Sequence, residues 1–175
     1  MELSKSELRL RIRAARMGRK IHFNLGPLIE SSEFQDAKVI ASYRSYGEEP
    51  DTQEINREIL ARGKKLLLPR LLPDKDLLFI PWDGESELKI ENRIEVPPGE
   101  NFEGEIDLVI VPALALDEFG NRLGQGGGSY DRALSRTSTW RIAMINGEEL
   151  FDSIPTEPHD LKMDAALLPD QLVRF

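Results

Sequence analysis

Residues 107–111, DLVIV, hold a short unbroken apolar run after Asp107 that ends at Pro112 and opens into a loop holding Gly120, Gly124, Gly126, Gly127 and Gly128. The loop leads into a segment of helical composition. A run of this length and β-branched content reads as a strand buried in a sheet. Glycines between such a strand and a helix let the chain turn in conformations closed to other residues. A buried strand, a glycine turn and a helix in succession are the unit of layered α/β folds.

The rest of the chain repeats the alternation. Residues 4–7 carry a Ser-x-x-Glu capping box that opens a helix. Leu8, Ile12 and Ala15 recur at helical spacing and are expected to face a core. Lys5, Arg9, Arg13, Arg16 and Lys20 form a second, cationic stripe on that helix. Gly18 and the Gly26-Pro27 pair punctuate the next stretch, and a second short helix is expected there. Strands are expected over residues 38–43, over 66–68 before Pro69, and over 77–80 ending at Pro81. A helix is expected over 52–62, with Gly63 as its stop. Residues 83–105 read as loops with short strands, 128–136 as a helix, and 140–145 as the last strand. The pattern predicts one domain over residues 1–175, a layered α/β fold with a mostly parallel sheet flanked by helices.

Charge narrows the function. The chain has a formal net charge of −8, which argues against general affinity for nucleic acid. Seven cations stand against Glu2 and Glu7 in residues 1–20, a balance of +5 that leaves −13 for the remainder. Such an arm suits RNA, an anionic small molecule or plain solvation. No apolar run approaches the roughly 20 residues needed to cross a bilayer. Residues 1–20 lack a signal-peptide core, so the cytoplasm is the expected location. The chain has no cysteine, which excludes disulfide and thiolate chemistry.

The glycine loop is where chemistry is expected. Its backbone N–H groups can approach an anion closely, and the following helix start adds a positive dipole. Arg122 and Arg132 flank it and suit bidentate contacts to phosphate or carboxylate. Asp131 offers the hard oxygen that magnesium prefers. The loop lacks the Gly-Lys-Ser/Thr of a Walker motif and the usual setting of a dinucleotide fingerprint. A turn that needs glycine only for its backbone angles stays open.

Residues 111–131 match in full the pattern Val-Pro-x-x-x-x-Asp-x-x-Gly-x-Arg-Leu-Gly-x-Gly-x-Gly-x-Tyr-Asp. By this motif the chain resembles the 5-formyltetrahydrofolate cyclo-ligase (methenyltetrahydrofolate synthetase) family. Weaker matches occur in the same order along the chain: Lys5-x-x-x-Arg9, Glu49-x-x-Thr52, Pro69-Arg70 and His159-Asp160-x-x-x-Asp164. Gln125 and Ser129 depart from it, since many members carry an aromatic, or at 125 an arginine. The resemblance implies a NagB/RpiA/CoA-transferase-like layering and an ATP- and Mg2+-dependent cyclisation of 5-formyltetrahydrofolate to 5,10-methenyltetrahydrofolate.

It also implies roles. Lys5, Arg9 and residues 122–130 (Arg122, Leu123, Gly124, Gln125, Gly126, Gly127, Gly128, Ser129 and Tyr130) would bind ATP, with Arg122 and Tyr130 closest to the chemistry. Arg44, Glu49, Gln125, Gly126, Gly127, Gly128 and Ser129 would meet the reduced folate. Arg44 or Arg70 would meet its anionic tail. Asp131 and Asp160 would hold Mg2+, although either also reads as a cap or turn residue. His159 is expected to be structural. The expected partners are the two small molecules alone, with neither nucleic acid nor membrane, and the chain is expected to be a monomer. Three rivals remain: a homologue with another ligand, a sugar-phosphate isomerase or acyl-transfer enzyme, and an RNA-binding module.

Overall fold

The structure is a computed structural model, and it describes residues 3–175. Helix α1 spans Lys5–Arg16. Its capping box is formed: Ser4 Oγ accepts from the Glu7 N–H, and Glu7 accepts in return from the Ser4 N–H at 2.8 Å. Short helices α2 (Gly26–Ile29) and α3 (Ser32–Asp36) follow, then strand β1 (Val39–Ala41). Helix α4 (Gln53–Ala61) ends just before Gly63, whose φ of +70° suits a residue without a Cβ. Strands β2 (Lys65–Leu71), β3 (Leu77–Trp82), β4 (Lys89–Glu91), β5 (Ile94–Val96), β6 (Leu108–Val111), β7 (Ala115–Asp117) and β8 (Arg122–Leu123) precede helix α5 (Ser129–Leu134). Strands β9 (Trp140–Met144), β10 (Leu150–Phe151), β11 (Ala165–Leu167) and β12 (Leu172–Arg174) complete the order, with a 3-10 turn at Gly147–Glu149.

Seven strands form one sheet in the order β12-β11-β9-β6-β1-β2-β3. The four inner pairings are parallel, and the two edge pairings, β2 with β3 and β11 with β12, are antiparallel. All four residues of β6 are buried, as a central strand covered on both faces requires. Side chains alternate across it. Leu108 and Ile110 join Phe34, Ile55 and Ile59 in a cluster under α3 and α4, while Val109 and Val111 join Ala133 and Leu134 of α5 on the opposite face. A three-stranded sheet, β10-β7-β8, supplies a third cluster in which Leu8 and Ile12 of α1 meet Leu114, Ala115 and Leu123.

Five expectations are corrected. Ala15 is exposed, and Arg16 takes the buried position instead. Pro69 and Pro81 lie inside β2 and β3 rather than ending them. Phe79 turns its carbonyl to the Phe102 N–H and its N–H to Asn101, away from β2, which puts Pro69 and Pro81 at non-hydrogen-bonded positions. The Pro81 nitrogen then faces the free sheet edge, and Pro69 lies beyond the end of β1, so neither removes a ladder bond. The helix expected over 128–136 is shorter, with Gly128 as its cap. The strand at 140–145 is not the last: β11 and β12 extend the sheet beyond it.

Candidate active site

The loops that leave the carboxyl ends of β1 and β6 meet α1 and residues 157–160 around a cavity of about 310 Å³. This is where layered α/β sheets offer a crevice. Helix α1 closes one wall through its cationic stripe, and the stripe is not merely solvated. Lys5 Nζ donates to Asp160 Oδ2 at 2.6 Å and to Glu157 Oε2 at 3.2 Å. Arg9 Nε donates to the Gly124 carbonyl at 2.9 Å, and Arg13 Nη2 to Gln125 Oε1 at 2.7 Å. Arg16, 3% exposed, grips Glu149 with two bonds of 2.7 Å and donates to the Ala113 carbonyl at 2.9 Å. One helix face therefore fastens four places in the chain that lie more than 90 residues downstream.

The glycine loop needs its glycines at particular points. Gly126 and Gly128 have φ of +110° and +67°, a region that L side chains rarely enter. A Cβ at Gly124 would lie 2.6 Å from Arg122 Nη1. Arg122 is buried and spends its donors inward: Nη1 on the Pro112 carbonyl at 2.9 Å and Nη2 on Asp131 Oδ2 at 3.1 Å. Asp131 Oδ1 accepts from the Leu161 N–H at 3.1 Å, which ties the loop to the C-terminal segment. Burial alone would raise the Asp160 carboxyl, yet the bonds from Lys5 and the Glu157 N–H hold it below the usual range. Burial would likewise lower the Lys5 ammonium, and its two carboxylate partners raise it.

The opposite wall comes from the turn after β1. Burial pushes the Glu49 carboxyl up, against a hydrogen bond of 3.1 Å from the Tyr46 N–H. Tyr130 packs edge-on against Phe79 at 6.5 Å and lies 6.0 Å from the Arg122 guanidinium. Its phenol is raised by burial and by Glu49. Arg44 lines the cavity, bonded to Glu95 at 2.8 Å and placed over the Trp82 ring.

Lys5, Arg9, Arg44, Glu49, Asp131 and Asp160, and every residue from Arg122 to Tyr130, thus surround one cavity. Arg70 does not: it holds the Pro97 and Gly99 carbonyls beside the β4–β5 hairpin. Arg132 is also outside, bonded to the Gly127 and Lys75 carbonyls. Among the described residues, Glu157, His159 and Asp160 bring ligand atoms within 4.8 Å of one another, and Asp131 is not in that group. Sequence reasoning misses Glu157 and Tyr43. Glu157 carries no signal beyond its nearness to His159 and Asp160, and the sequence marks Tyr43 only as the end of a strand.

Comparison with known proteins identifies the chain's relatives. A family model described as the 5-formyltetrahydrofolate cyclo-ligase family matches residues 4–169. A 5-formyltetrahydrofolate cyclo-ligase of Mycolicibacterium smegmatis is 33% identical over 144 residues, 75% of this chain and 74% of the relative. One from Escherichia coli K12 is 31% identical over 147 residues, 78% of this chain and 80% of the relative. The NMR structure of a 5,10-methenyltetrahydrofolate synthetase from Aquifex aeolicus superposes with a TM-score of 0.82 at 26% identity, covering 97% of this chain and 92% of that one.

Proposed function

Since the chain belongs to the 5-formyltetrahydrofolate cyclo-ligase family, we propose that it performs that family's ATP-dependent ring closure in this cavity. The product is 5,10-methenyltetrahydrofolate, released with ADP and phosphate. The observation that carries the reading is the convergence of α1, the glycine loop and residues 157–160 on one cavity whose far wall carries Glu49.

The chemistry asks for alignment and charge neutralisation rather than a protein nucleophile. The formyl oxygen forms a bond to the γ-phosphorus as the β–γ bridging bond breaks and ADP leaves. The neighbouring N10 of the folate then bonds to the formyl carbon, the carbon–oxygen bond breaks, and phosphate departs while N10 loses its proton. Lys5, Arg9 and the loop N–H groups from Gly124 to Ser129 neutralise and orient the phosphates. Arg122, fixed by Pro112 and Asp131, holds the loop in shape and sets its charge next to Tyr130. Glu49 accepts from the pterin's amino and ring N–H groups, and Arg44 lies beside the folate. Gln125 and Ser129 face the ring where many relatives carry larger side chains.

Asp131 and Asp160, with Glu157 nearby, are hard oxygen donors of the kind that Mg2+ takes. Bound there, the ion would offset charge on the transferring phosphoryl group. Asp160 is already neutralised by Lys5, so this pair of residues balances charge in the free protein. We take the chain to act as one domain over residues 1–175, with NagB/RpiA/CoA-transferase-like layering, as a cytoplasmic monomer.

The test is absorbance at the methenyl-folate band with 5-formyltetrahydrofolate, Mg-ATP or both. A rise that needs both, and that falls by at least about a hundredfold in rate in Asp131→Ala, supports the assignment. No rise from protein that binds ATP would sink it and favour a homologue with another ligand.

A further inference from the structure

Tyr43 lies two residues beyond β1, where the strand direction carries the chain into the cavity wall. Its position is fixed by its own backbone, since the Tyr43 carbonyl accepts from Thr52 Oγ1 at 2.5 Å and Asn56 Nδ2 at 2.9 Å. The residue is 4% exposed, and its phenol oxygen is buried with no hydrogen-bonding partner among the described residues. A buried hydroxyl without a partner destabilises the free protein, and a ligand that reaches it can supply the missing bond. Burial, and next the charge of Glu49, push the phenol well above its ordinary range, so it stays protonated and serves as a donor. Glu49, the acceptor that acts on it, lines the same cavity and spends only Oε2 on the Tyr46 N–H.

A donor and an acceptor that line one cavity are complementary to an amide edge, where a carbonyl sits next to an N–H. The pterin ring carries such an edge in its cyclic amide. We infer that the Tyr43 hydroxyl is a substrate-recognition group, donating to the pterin ring carbonyl beside the N–H that Glu49 accepts. The inference rests on the folate reading of the cavity. It makes Tyr43 a specificity determinant: a ring with an amino group in place of that carbonyl offers the hydroxyl a donor where it needs an acceptor. Ser42 supplies an internal control. Its hydroxyl is also buried and unpartnered, but the residue does not line the cavity.

The experiment measures calorimetric affinity for 5-formyltetrahydrofolate and for its 4-amino analogue, together with ligand-free thermal unfolding, in wild type, Tyr43→Phe and Ser42→Ala. Tyr43→Phe should unfold at the wild-type temperature or above it, because it removes an unsatisfied group. Its Kd for 5-formyltetrahydrofolate should rise about tenfold, the equivalent of one neutral hydrogen bond, while that for the 4-amino analogue changes by less than about twofold. Ser42→Ala should bind both as wild type does. Wild type that binds 5-formyltetrahydrofolate while Tyr43→Phe binds it equally well overturns the inference alone. Equal weakening for both ligands, or a clear fall in unfolding temperature, makes the hydroxyl structural and overturns it as well. Wild type that does not bind 5-formyltetrahydrofolate removes the folate reading, and the inference with it.

Discussion

Replacing Glu149 with alanine tests how α1 is held. The Glu149 carboxylate accepts four bonds of 2.7–2.9 Å, two from Arg16 and two from the N–H and side-chain amide of Asn146. Both partners of the ion pair are almost fully buried, at 3% and 4% side-chain exposure. Forming such a pair yields little net stability, because desolvation of the two charges offsets their attraction. Removing one member is different, since it leaves the Arg16 guanidinium buried with no anionic partner, held by the Ala113 carbonyl at 2.9 Å and the Leu114 carbonyl at 3.5 Å. Glu149→Ala is therefore expected to cost about 3–5 kcal/mol. For a chain of this length that corresponds to a fall in Tm of about 6–20 °C by circular dichroism. Glu149→Leu combined with Arg16→Met should recover part of the loss, because it removes both charges together. In Glu149→Ala protein that remains folded at the assay temperature, KM for ATP should rise while folate affinity changes less, since Lys5 and Arg9 ride on the loosened helix. A Tm within about 3 °C of wild type would refute the reasoning: the pair would then be solvated, and α1 would be held by Leu8 and Ile12 alone.

Two further outcomes are expected. Gly120→Ala places a Cβ 2.5 Å from the Met163 carbonyl at a φ of +79°, so its urea midpoint should report a loss of at least about 1–3 kcal/mol; an unchanged midpoint would show that the turn shifts without cost. Arg174 holds the Glu33 carboxyl down from its ordinary 4.5 to about 2. A depressed carboxyl contributes stability above its unfolded pKa that is lost as pH falls through the folded one. The advantage of wild type over Glu33→Gln should thus be full above about pH 5 and shrink towards pH 2, and parallel pH profiles would contradict it.

The local features of this chain are legible in its sequence. The capping box at residues 4–7, the buried strand before Pro112 and the glycine turn depend on neighbours within a few positions, and sequence records those directly. Features set by distant partners are not. Arg16 reads as one more cation on a basic stripe until Glu149, 133 residues away, is brought beside it. Strands β11 and β12 are three residues each and no helix separates them, so they lack the alternation that marks the earlier strands. Pro69 and Pro81 look like strand ends because proline donates no ladder bond, and only the register reveals that no bond is due there. Tyr43 is hidden in the same way, since an unpartnered hydroxyl is defined by what surrounds it.

The anchoring of α1 also bears on how the protein is made. The helix emerges early from the ribosome, but its fastenings at Gly124, Glu149 and Asp160 come 115, 133 and 155 residues later. At cellular elongation rates that gap is on the order of 10–30 s, during which Leu8 and Ile12 have no cluster to join. A helix made before its partners is thus locked in after them, and a nascent chain gains this wall of the cavity only after synthesis has passed Asp160.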